Sequence, residues 1–181
     1  MKLLLSLLIG FFSFLPYITA QQSNPAIQWP AGFEPAESKF FVHNEIEISA
    51  TPERVWAVLI DAQKWESYYK GAKNVVFVNA ADSLLSARTV FNWETMGLKF
   101  QSSIKAFEPA RYLAWLSEKK QIQGYHVWLI VPTASGCKLI TEESQNGWLT
   151  FFEKVFQPKK LKRLHDVWLQ EIKQQAESTK N

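Results

Sequence analysis

The stretch of sequence that decides the fold is LKFQSSIKAFEPARYLAWLSE, residues 98–118. Apolar and polar residues largely alternate on both sides of the break at residues 108–111, which is the pattern of half-buried strands joined by a tight turn. In an antiparallel hairpin the numbers of facing residues add to a constant, so the turn also predicts the register. The predicted facing pairs are Ile104–Trp115, Ala106–Leu113 and Phe107–Tyr112.

Similar strand patterns continue on both sides of this hairpin. Neighbours separated by such short breaks are expected to pair antiparallel, as a meander. A strand is also predicted near the start of the domain, where Val42, Ile46 and Ile48 alternate with polar residues. The strands of the meander are predicted at residues 73–79, 85–94, 97–107, 111–118, 122–132 and 136–146, and the earlier one at 40–48.

Helical patterns occupy the gap after the first strand and the end of the chain. Thr51-Pro52-Glu53 has the features of a helix start, and a second short helix is predicted at residues 61–69. From Trp148 to about Ala176 the apolar residues follow helical spacing, and Pro158 must either kink this helix or start its second half. The predicted class is therefore α+β.

The other turns of the meander predict further registers, and all of them divide the sheet into two faces. The additional facing pairs are Trp93–Leu98, Phe91–Phe100, Leu113–His126, Trp128–Thr141 and His126–Glu143. The apolar face carries Phe91, Trp93, Leu98, Phe100, Ile104, Leu113, Trp115, Trp128, Ile130 and Leu139. The largely polar face carries Lys99, Gln101, Lys105, Lys138 and Glu142. The aromatic residues of the apolar face are expected either to line a cavity for a flat apolar ligand or simply to fill the core.

Five polar residues fall on the apolar face: Ser102, Ser117, His126, Thr141 and Glu143. His126 and Glu143 are predicted to be direct cross-strand neighbours, where a carboxylate would orient the imidazole and favour its charged form. Such a pair could bind a ligand hydroxyl or carbonyl or move a proton, or it could be a structural polar pair without chemistry. The register places both serines at least about 13 Å from His126, which argues against a nucleophilic triad.

The N-terminal residues have the form of a secretory signal peptide. Lys2 precedes an apolar run to Leu15, and Ala20 offers a small residue before a cut at Gln21. An uncleaved anchor is the alternative. We expect a signal peptide at 1–20, an extended leader at 21–38 that Trp29 and Phe33 hold to the domain, and export to the periplasm or medium.

Composition excludes several classes of protein. Of 181 residues, 47% are hydrophobic and 20% are charged, so the chain can build a sizeable core. A net charge of +3 gives no indication of nucleic-acid binding, and the single Cys137 excludes an intrachain disulfide. Three histidines and one cysteine are too few potential ligands to predict a zinc site. We place neither His43 nor His165 in a functional site.

Several short motifs at matching positions resemble a known group of proteins. About residues 40–177 resemble the START-like SRPBCC superfamily, specifically its polyketide cyclase/dehydrase and lipid-transport branch. The resemblance implies a helix-grip domain at 39–177: a curved seven-stranded antiparallel sheet around a long C-terminal helix, with two short helices after strand 1 and a hydrophobic cavity. The matching motifs are ATPERVW at 50–56, Asp61 to Trp65, FNW at 91–93, Glu108-Pro109, LAW at 113–115, HVW at 126–128, EESQNG at 142–147 and Trp168-Leu169.

We therefore expect an exported protein that binds or carries a small hydrophobic molecule, lipid or polyketide-like, as a monomer without a cofactor. Two alternatives are a cyclase- or dehydratase-like enzyme using His126 and Glu143, and a non-catalytic protein-interaction module. The basic residues around Pro158 are expected to form a solvated helix face, with transient contact with an anionic membrane surface as the less favoured alternative. The expected ligand contacts are Trp65, Phe91, Trp93, Phe100, Leu113, Trp115, His126, Trp128, Thr141 and Glu143.

Overall fold

Residues 23–178 are described by a computed structural model, and the predicted signal peptide at 1–20 lies outside them. All seven strands belong to one antiparallel sheet in the order β1-β7-β6-β5-β4-β3-β2, which confirms the predicted meander. The strands are β1 (Phe40–Ile48), β2 (Lys73–Phe77), β3 (Val90–Thr95), β4 (Leu98–Glu108), β5 (Tyr112–Lys119), β6 (Ile122–Thr133) and β7 (Gly136–Asn146).

Four α-helices accompany the sheet, and together they confirm the helix-grip architecture. A short 3-10 turn at Ala62–Lys64 joins the first two helices, and the last helix lies across the concave face of the sheet. Proline at the first position of the first helix costs no hydrogen bond, because the N–H groups of a first turn have no partner within the helix. The helices are α1 (Pro52–Ile60), α2 (Trp65–Tyr68), α3 (Trp148–Phe156) and α4 (Lys160–Ser178).

The C-terminal helical stretch is divided at Pro158. Residues 157–159 are not helical, and α4 begins at Lys160. Proline cannot donate a backbone hydrogen bond, and its ring disfavours a helical conformation at the residue before it. Of the two outcomes expected at this residue, the structure has the start of a new helix rather than a kink.

The predicted registers are correct at one hairpin and shifted at others. His126 faces Glu143 and Trp128 faces Thr141, as predicted. The β3–β4 and β5–β6 registers are each wrong by two residues. The corrected pairs are Trp93–Phe100, Phe91–Ser102, Leu113–Trp128 and Trp115–His126. Because side chains alternate with a period of two, these two-residue shifts leave the corrected pairs on their predicted faces. The one-residue shift near Ala106 does exchange faces: Ala106 packs with the outer cluster and Phe107 with the inner core.

Local backbone geometry explains the corrections. Met96 and Gly97 have φ angles of 54° and 82°, so they form the turn themselves, one residue later than predicted. Between β4 and β5 the pair Ile104–Trp115 is confirmed, but the register shifts before Ala106, so Phe107 faces Leu113 rather than Tyr112, and Ala106 faces Ala114 rather than Leu113.

The strand predicted at 85–94 begins only at Val90. Ser86 to Thr89 form a turn in which the hydroxyl oxygen of Thr89 accepts a hydrogen bond from the backbone N–H of Ser86 at 2.8 Å. Such local side-chain bonds compete with the strand ladder.

The outer face of the sheet is not as polar as the sequence suggested. A second apolar cluster forms there from Tyr112, Ala114, Tyr125, Val127, Leu129 and Ile140, and residues of the leader cover it. Trp29 contacts Phe41 and Tyr125 with ring centroids 5.9 and 5.8 Å away. Glu142 does lie on the outer face but is fully buried, because Ser23, Asn24 and His43 all hydrogen bond to it.

No helix within residues 23–178 combines the length and the hydrophobicity needed to cross a bilayer.

Candidate functional site

Trp168 of α4 is the centre of an aromatic core between the helix and the sheet. Its ring lies 4.6 Å from that of Tyr69, in a stacked arrangement, and 5.0 Å from those of Trp65 and Trp128. Trp65, Trp115 and Trp128 expose none of their surface. A large part of the predicted aromatic face therefore fills the core, which was one of the two outcomes that the sequence left open.

A cavity of about 40 Å³ remains between α4 and the inner face of the sheet. Its aromatic walls come from Tyr69, Trp93, Phe100, Trp115 and Trp168. This volume holds roughly three water molecules, whereas ordinary small-molecule pockets measure about 300–1,000 Å³. A small group of a ligand can therefore enter the cavity as it stands, but a lipid-sized molecule requires α4 or its side chains to move.

The mouth of the cavity lies beside the β3–β4 turn. Thr95, Met96 and Leu164 line both the cavity and a groove on the surface of the molecule. The groove is also lined by three lysines, Lys70, Lys73 and Lys160. A ligand entering by this route passes a positively charged rim before it reaches the aromatic walls.

Three ionisable side chains meet at the cavity: His126, Glu143 and His165. They come from β6, β7 and α4, and each histidine ring is almost fully buried. Oε2 of Glu143 lies 3.3 Å from Nδ1 of His126 and 3.1 Å from Nε2 of His165. We call these three residues the His–Glu–His cluster.

Two further side chains hold this cluster in place. The hydroxyl of Thr141 lies 2.7 Å from Nε2 of His126, which leaves Nδ1 of that ring directed at Glu143. The amide of Gln145 donates a hydrogen bond of 2.6 Å to Oε1 of Glu143. The carboxylate therefore has partners on both oxygens, as a buried charge requires.

The surroundings shift the protonation of the cluster in definite directions. Burial lowers the pKa of His126 well below its usual range, which outweighs the opposing charge of Glu143. Burial by itself would raise the pKa of Glu143, but the hydrogen bond from His165 and the neighbouring imidazoles lower it further than burial raises it. At neutral pH the arrangement is an ionised carboxylate beside a neutral His126, rather than the charged imidazole expected from the sequence.

A second carboxylate lines the same cavity. Glu153 of α3 has one carboxylate oxygen, Oε2, that is buried without a hydrogen-bond partner among the described residues. Burial raises the pKa of Glu153, and the nearby charge of Glu143 raises it further. No pattern in the sequence indicated that this residue belongs to the site.

The structure divides the ten predicted ligand contacts into two groups. One group lines the cavity: Trp93, Phe100, Trp115, His126 and Glu143. The other group is buried away from it, in the aromatic core or behind the cluster: Trp65, Phe91, Leu113, Trp128 and Thr141. Thr141 still contributes to the site, because its hydroxyl orients His126.

His165 is the residue that sequence reasoning missed. The sequence analysis places it in no site, yet it is buried and contacts Glu143. The signal was its spacing from Leu161, Trp168 and Ile172, which face the sheet on the same stripe of α4. A histidine within a helical stripe of core residues has to find a polar partner there.

The two serines of the inner face do not contact the histidines. The hydroxyl of Ser102 lies 2.7 Å from that of Ser117 and accepts a hydrogen bond from the indole N–H of Trp93 at 2.8 Å. The corrected register places Ser117 opposite Gly124, only two residues from His126, so the separation estimated from the sequence was too large for this serine. The hydroxyls bond to each other instead, and no serine–histidine pair forms within residues 23–178.

Comparison with known proteins relates the chain to a family. The family model described as "Polyketide cyclase / dehydrase and lipid transport" matches residues 39–177. Among curated proteins, none matches the sequence significantly. A crystal structure of a hypothetical protein from Helicobacter pylori shares 29% identity, covers 84% of this chain and 97% of its own, and superposes with a TM-score of 0.76.

More distant structures share the fold alone. Norcoclaurine synthase from Thalictrum flavum, in complex with dopamine and hydroxybenzaldehyde, is 13% identical over 78% of this chain and 88% of its own, with a TM-score of 0.61. The two-domain aromatase/cyclase StfQ of the steffimycin biosynthetic pathway is 13% identical over 76% of this chain and 50% of its own, with a TM-score of 0.62.

Proposed function

Since the chain belongs to the polyketide cyclase/dehydrase and lipid transport family of START-like SRPBCC proteins, we propose that it binds and carries a small hydrophobic molecule in the cavity beneath α4. The observation that carries the proposal is an aromatic cavity with an unsatisfied polar group on its wall. The indole N–H of Trp115 is buried and has no hydrogen-bond partner among the described residues. Such an orphan donor is costly unless a ligand oxygen accepts from it.

The walls and the mouth indicate the kind of molecule. Five aromatic rings suit the flat or branched apolar part of a lipid or polyketide-like compound. A hydroxyl or carbonyl on that part can reach the polar side of the cavity at His126 and Gln145. An anionic group left in the outer groove would lie among Lys70, Lys73 and Lys160.

The test is to block the mouth. Leu164→Trp adds a large side chain where the cavity meets the groove, and Val167→Trp adds the same side chain on the exposed face of α4. Binding of the apolar dye N-phenyl-1-naphthylamine should weaken at least about tenfold in Leu164→Trp, because the larger side chain takes up space that the dye needs. Binding should stay near wild type in Val167→Trp, because residue 167 does not line the cavity. Equal binding by both folded variants would place the ligand elsewhere.

A second candidate function is catalysis of the cyclase or dehydratase kind. The geometry of the His–Glu–His cluster favours it, because a carboxylate and two imidazoles within 3.3 Å at a cavity are the groups that general acid–base catalysis uses. Native mass spectrometry of the purified protein separates the two functions. A carrier releases its co-purified molecule unchanged in mass after incubation, whereas an enzyme converts it and Glu143→Gln stops the conversion.

Export and membrane contact complete the carrier proposal. The apolar residues 3–15 followed by Ala20 support cleavage of a signal peptide and release into an oxidising compartment. The exposed apolar side chains of α3 support transient contact with a membrane, from which an apolar molecule could be taken up. Glu153 of the same helix lines the cavity, so such a contact would lie next to the binding site.

A further inference from the structure

The donor atoms of the His–Glu–His cluster have the spacing of metal ligands. One donor atom from each residue can be chosen so that all three lie within 4.8 Å of one another. The separations of 3.3 and 3.1 Å from Glu143 Oε2 to the two histidine nitrogens are close to the edges of a zinc tetrahedron. With bonds of 2.0–2.1 Å, neighbouring ligands of tetrahedral Zn²⁺ lie about 3.3 Å apart, and two donors on one ion lie at most about 4.2 Å apart. The two separations from Glu143 therefore already fit, and binding requires the two histidine nitrogens, which lie within 4.8 Å of each other, to approach to that limit or closer.

The charges around the cavity also favour a cation. Two carboxylates line it, Glu143 and Glu153, and no lysine or arginine does so among the described residues. One oxygen of Glu153 is buried without a hydrogen-bond partner. A cation bound by Glu143 would offset part of this negative charge.

Two of the three residues have outer partners of the kind that orient metal ligands, whereas Nδ1 of His165 has no partner among the described residues. Nε2 of His126 contacts the hydroxyl of Thr141, and Nδ1 of the same ring points at Glu143. Gln145 fixes the second oxygen of Glu143. Metal-binding histidines and carboxylates commonly have such second partners, which set the tautomer and the direction of the lone pair.

We propose that His126, Glu143 and His165 bind a divalent transition-metal ion of the zinc type at the cavity. Imidazole and carboxylate donors suit Zn²⁺ and Co²⁺ better than Ca²⁺ or Mg²⁺, which take oxygen ligands. Three protein ligands leave one position of a tetrahedron open, and the cavity of about 40 Å³ has room for water or a ligand oxygen there. This metal site is separate from the proposed binding of an apolar molecule. It also disagrees with the expectation from composition, which predicted no zinc site.

The experiment is a Co²⁺ titration of the full chain after removal of metal with EDTA, followed by visible absorption. One equivalent of Co²⁺ should give the d–d bands of a four- or five-coordinate site, and Zn²⁺ should displace it and raise the melting temperature. No organic ligand is added, so the result does not depend on the proposed function. Glu143→Gln and His165→Gln should each weaken Co²⁺ binding at least about a hundredfold.

The matched control is the other histidine–carboxylate pair of the sheet. His43 lies 2.8 Å from Glu142 on the outer face, and His43→Gln should leave Co²⁺ binding within about twofold of wild type. If the cluster variants fail to fold, Thr141→Val removes only the hydroxyl behind His126 and should weaken binding about tenfold.

Two results would overturn the proposal. The first is the absence of d–d bands when one equivalent of Co²⁺ is present. The second is equal binding by wild type and the folded Glu143→Gln and Thr141→Val variants. Tighter binding of an organic ammonium ion than of Co²⁺, with the same dependence on Glu143, would assign the cavity to an amine and also count against a metal.

Discussion

Glu143 shows how one partly buried side chain can join three elements of the structure. Its carboxylate lies within hydrogen-bond distance of His165 on α4 and beside His126 on β6. It also accepts a hydrogen bond from Gln145 of its own strand. Removing one partner of such a group leaves an uncompensated buried charge, which costs more than the net energy of the pair. The cluster therefore specifies how α4 lies on the sheet, whatever chemistry it performs.

A second residue, Cys137, allows a prediction about the reactivity of its thiol. Burial raises the pKa of its thiol to about 11, and the charges of Glu47 and Glu53 add to the effect. At pH 8 only about one thiol in a thousand is ionised, compared with about one in ten for an ordinary cysteine. Reaction with Ellman's reagent should therefore be at least about a hundredfold slower in the native protein than in guanidinium, and should accelerate as the pH rises towards 11. Rapid labelling of the folded protein at pH 8 would contradict this.

Helix α3 is unusual because it packs so little of its apolar surface. Trp148, Phe151, Phe152, Val155 and Phe156 are each 47–71% exposed, and only Thr150 of the helix is fully buried. Basic side chains lie within and after it: Lys154, Lys159, Lys160, Lys162 and Arg163. An apolar face bordered by positive charge is the pattern of a helix that lies in the interface of an anionic membrane.

The element-scale prediction tests this surface. Phe152→Glu with Phe156→Glu should weaken binding to vesicles of phosphatidylglycerol and phosphatidylcholine at least about tenfold, because each inserted ring contributes about 1.5–3 kcal/mol. Cosedimentation measures the bound fraction. Val167→Glu, at an exposed apolar position of α4, is the control and should bind like wild type. Equal loss in the control, or concentration-dependent dimers that the double variant abolishes, would assign the surface to another role.

The leader is a second element with a testable role, because Trp29 and Phe33 pack against the apolar cluster on the outer face of the sheet. Trp29→Ala should lower the free energy of unfolding by about 2–3 kcal/mol, because it removes ring contacts with Phe41 and Tyr125 and part of the cover of the outer face. Trp148→Ala, at an exposed ring of α3, should change it by at most about 0.5 kcal/mol. Guanidinium unfolding followed by circular dichroism gives both values, and similar losses in the two variants would mean that the leader does not stabilise the domain.

At the scale of the whole molecule, the cavity and the helices suggest how a ligand is exchanged. The cavity is small and closed by the aromatic core, so exchange requires α4 or α3 to move relative to the sheet. Residues 157–159 are the non-helical joint between these two helices, and they lie next to the proposed membrane surface. A membrane contact that displaces α3 would therefore act directly on the wall formed by Glu153 and Leu161.

Export is the prediction that concerns the chain as a whole. If the signal peptide is cleaved before Gln21, N-terminal sequencing of protein recovered from the periplasm or the medium should begin at that residue. Leu8→Arg, which interrupts the apolar run, should keep the full-length chain inside the cell. A soluble product in the cytoplasm that retains Met1 would contradict export, and a membrane-bound product with Met1 would indicate an anchor.

The sequence alone determined the order of the six meander strands, the two faces of the sheet apart from Ala106 and Phe107, and the His126–Glu143 pairing. These features depend on local patterns and short turns, and a register error of two residues does not change a face. Thus Trp93 and Trp115 were assigned correctly to the inside even though their facing partners were not. Pro158 likewise indicated a change in the last helix, because the chemistry of proline is local.

Only the tertiary structure decided which inward residues line a cavity and which fill the core. Trp115 and Trp128 share a face and are equally buried, but of these two only Trp115 lines the cavity. The ring of Trp168 on α4 packs against Trp128, with centroids 5.0 Å apart. His165 joined Glu143 for the same reason: the contact spans 22 residues and depends on how α4 lies across the sheet. Side-chain volumes meeting between distant elements set these positions, and no short-range pattern records them.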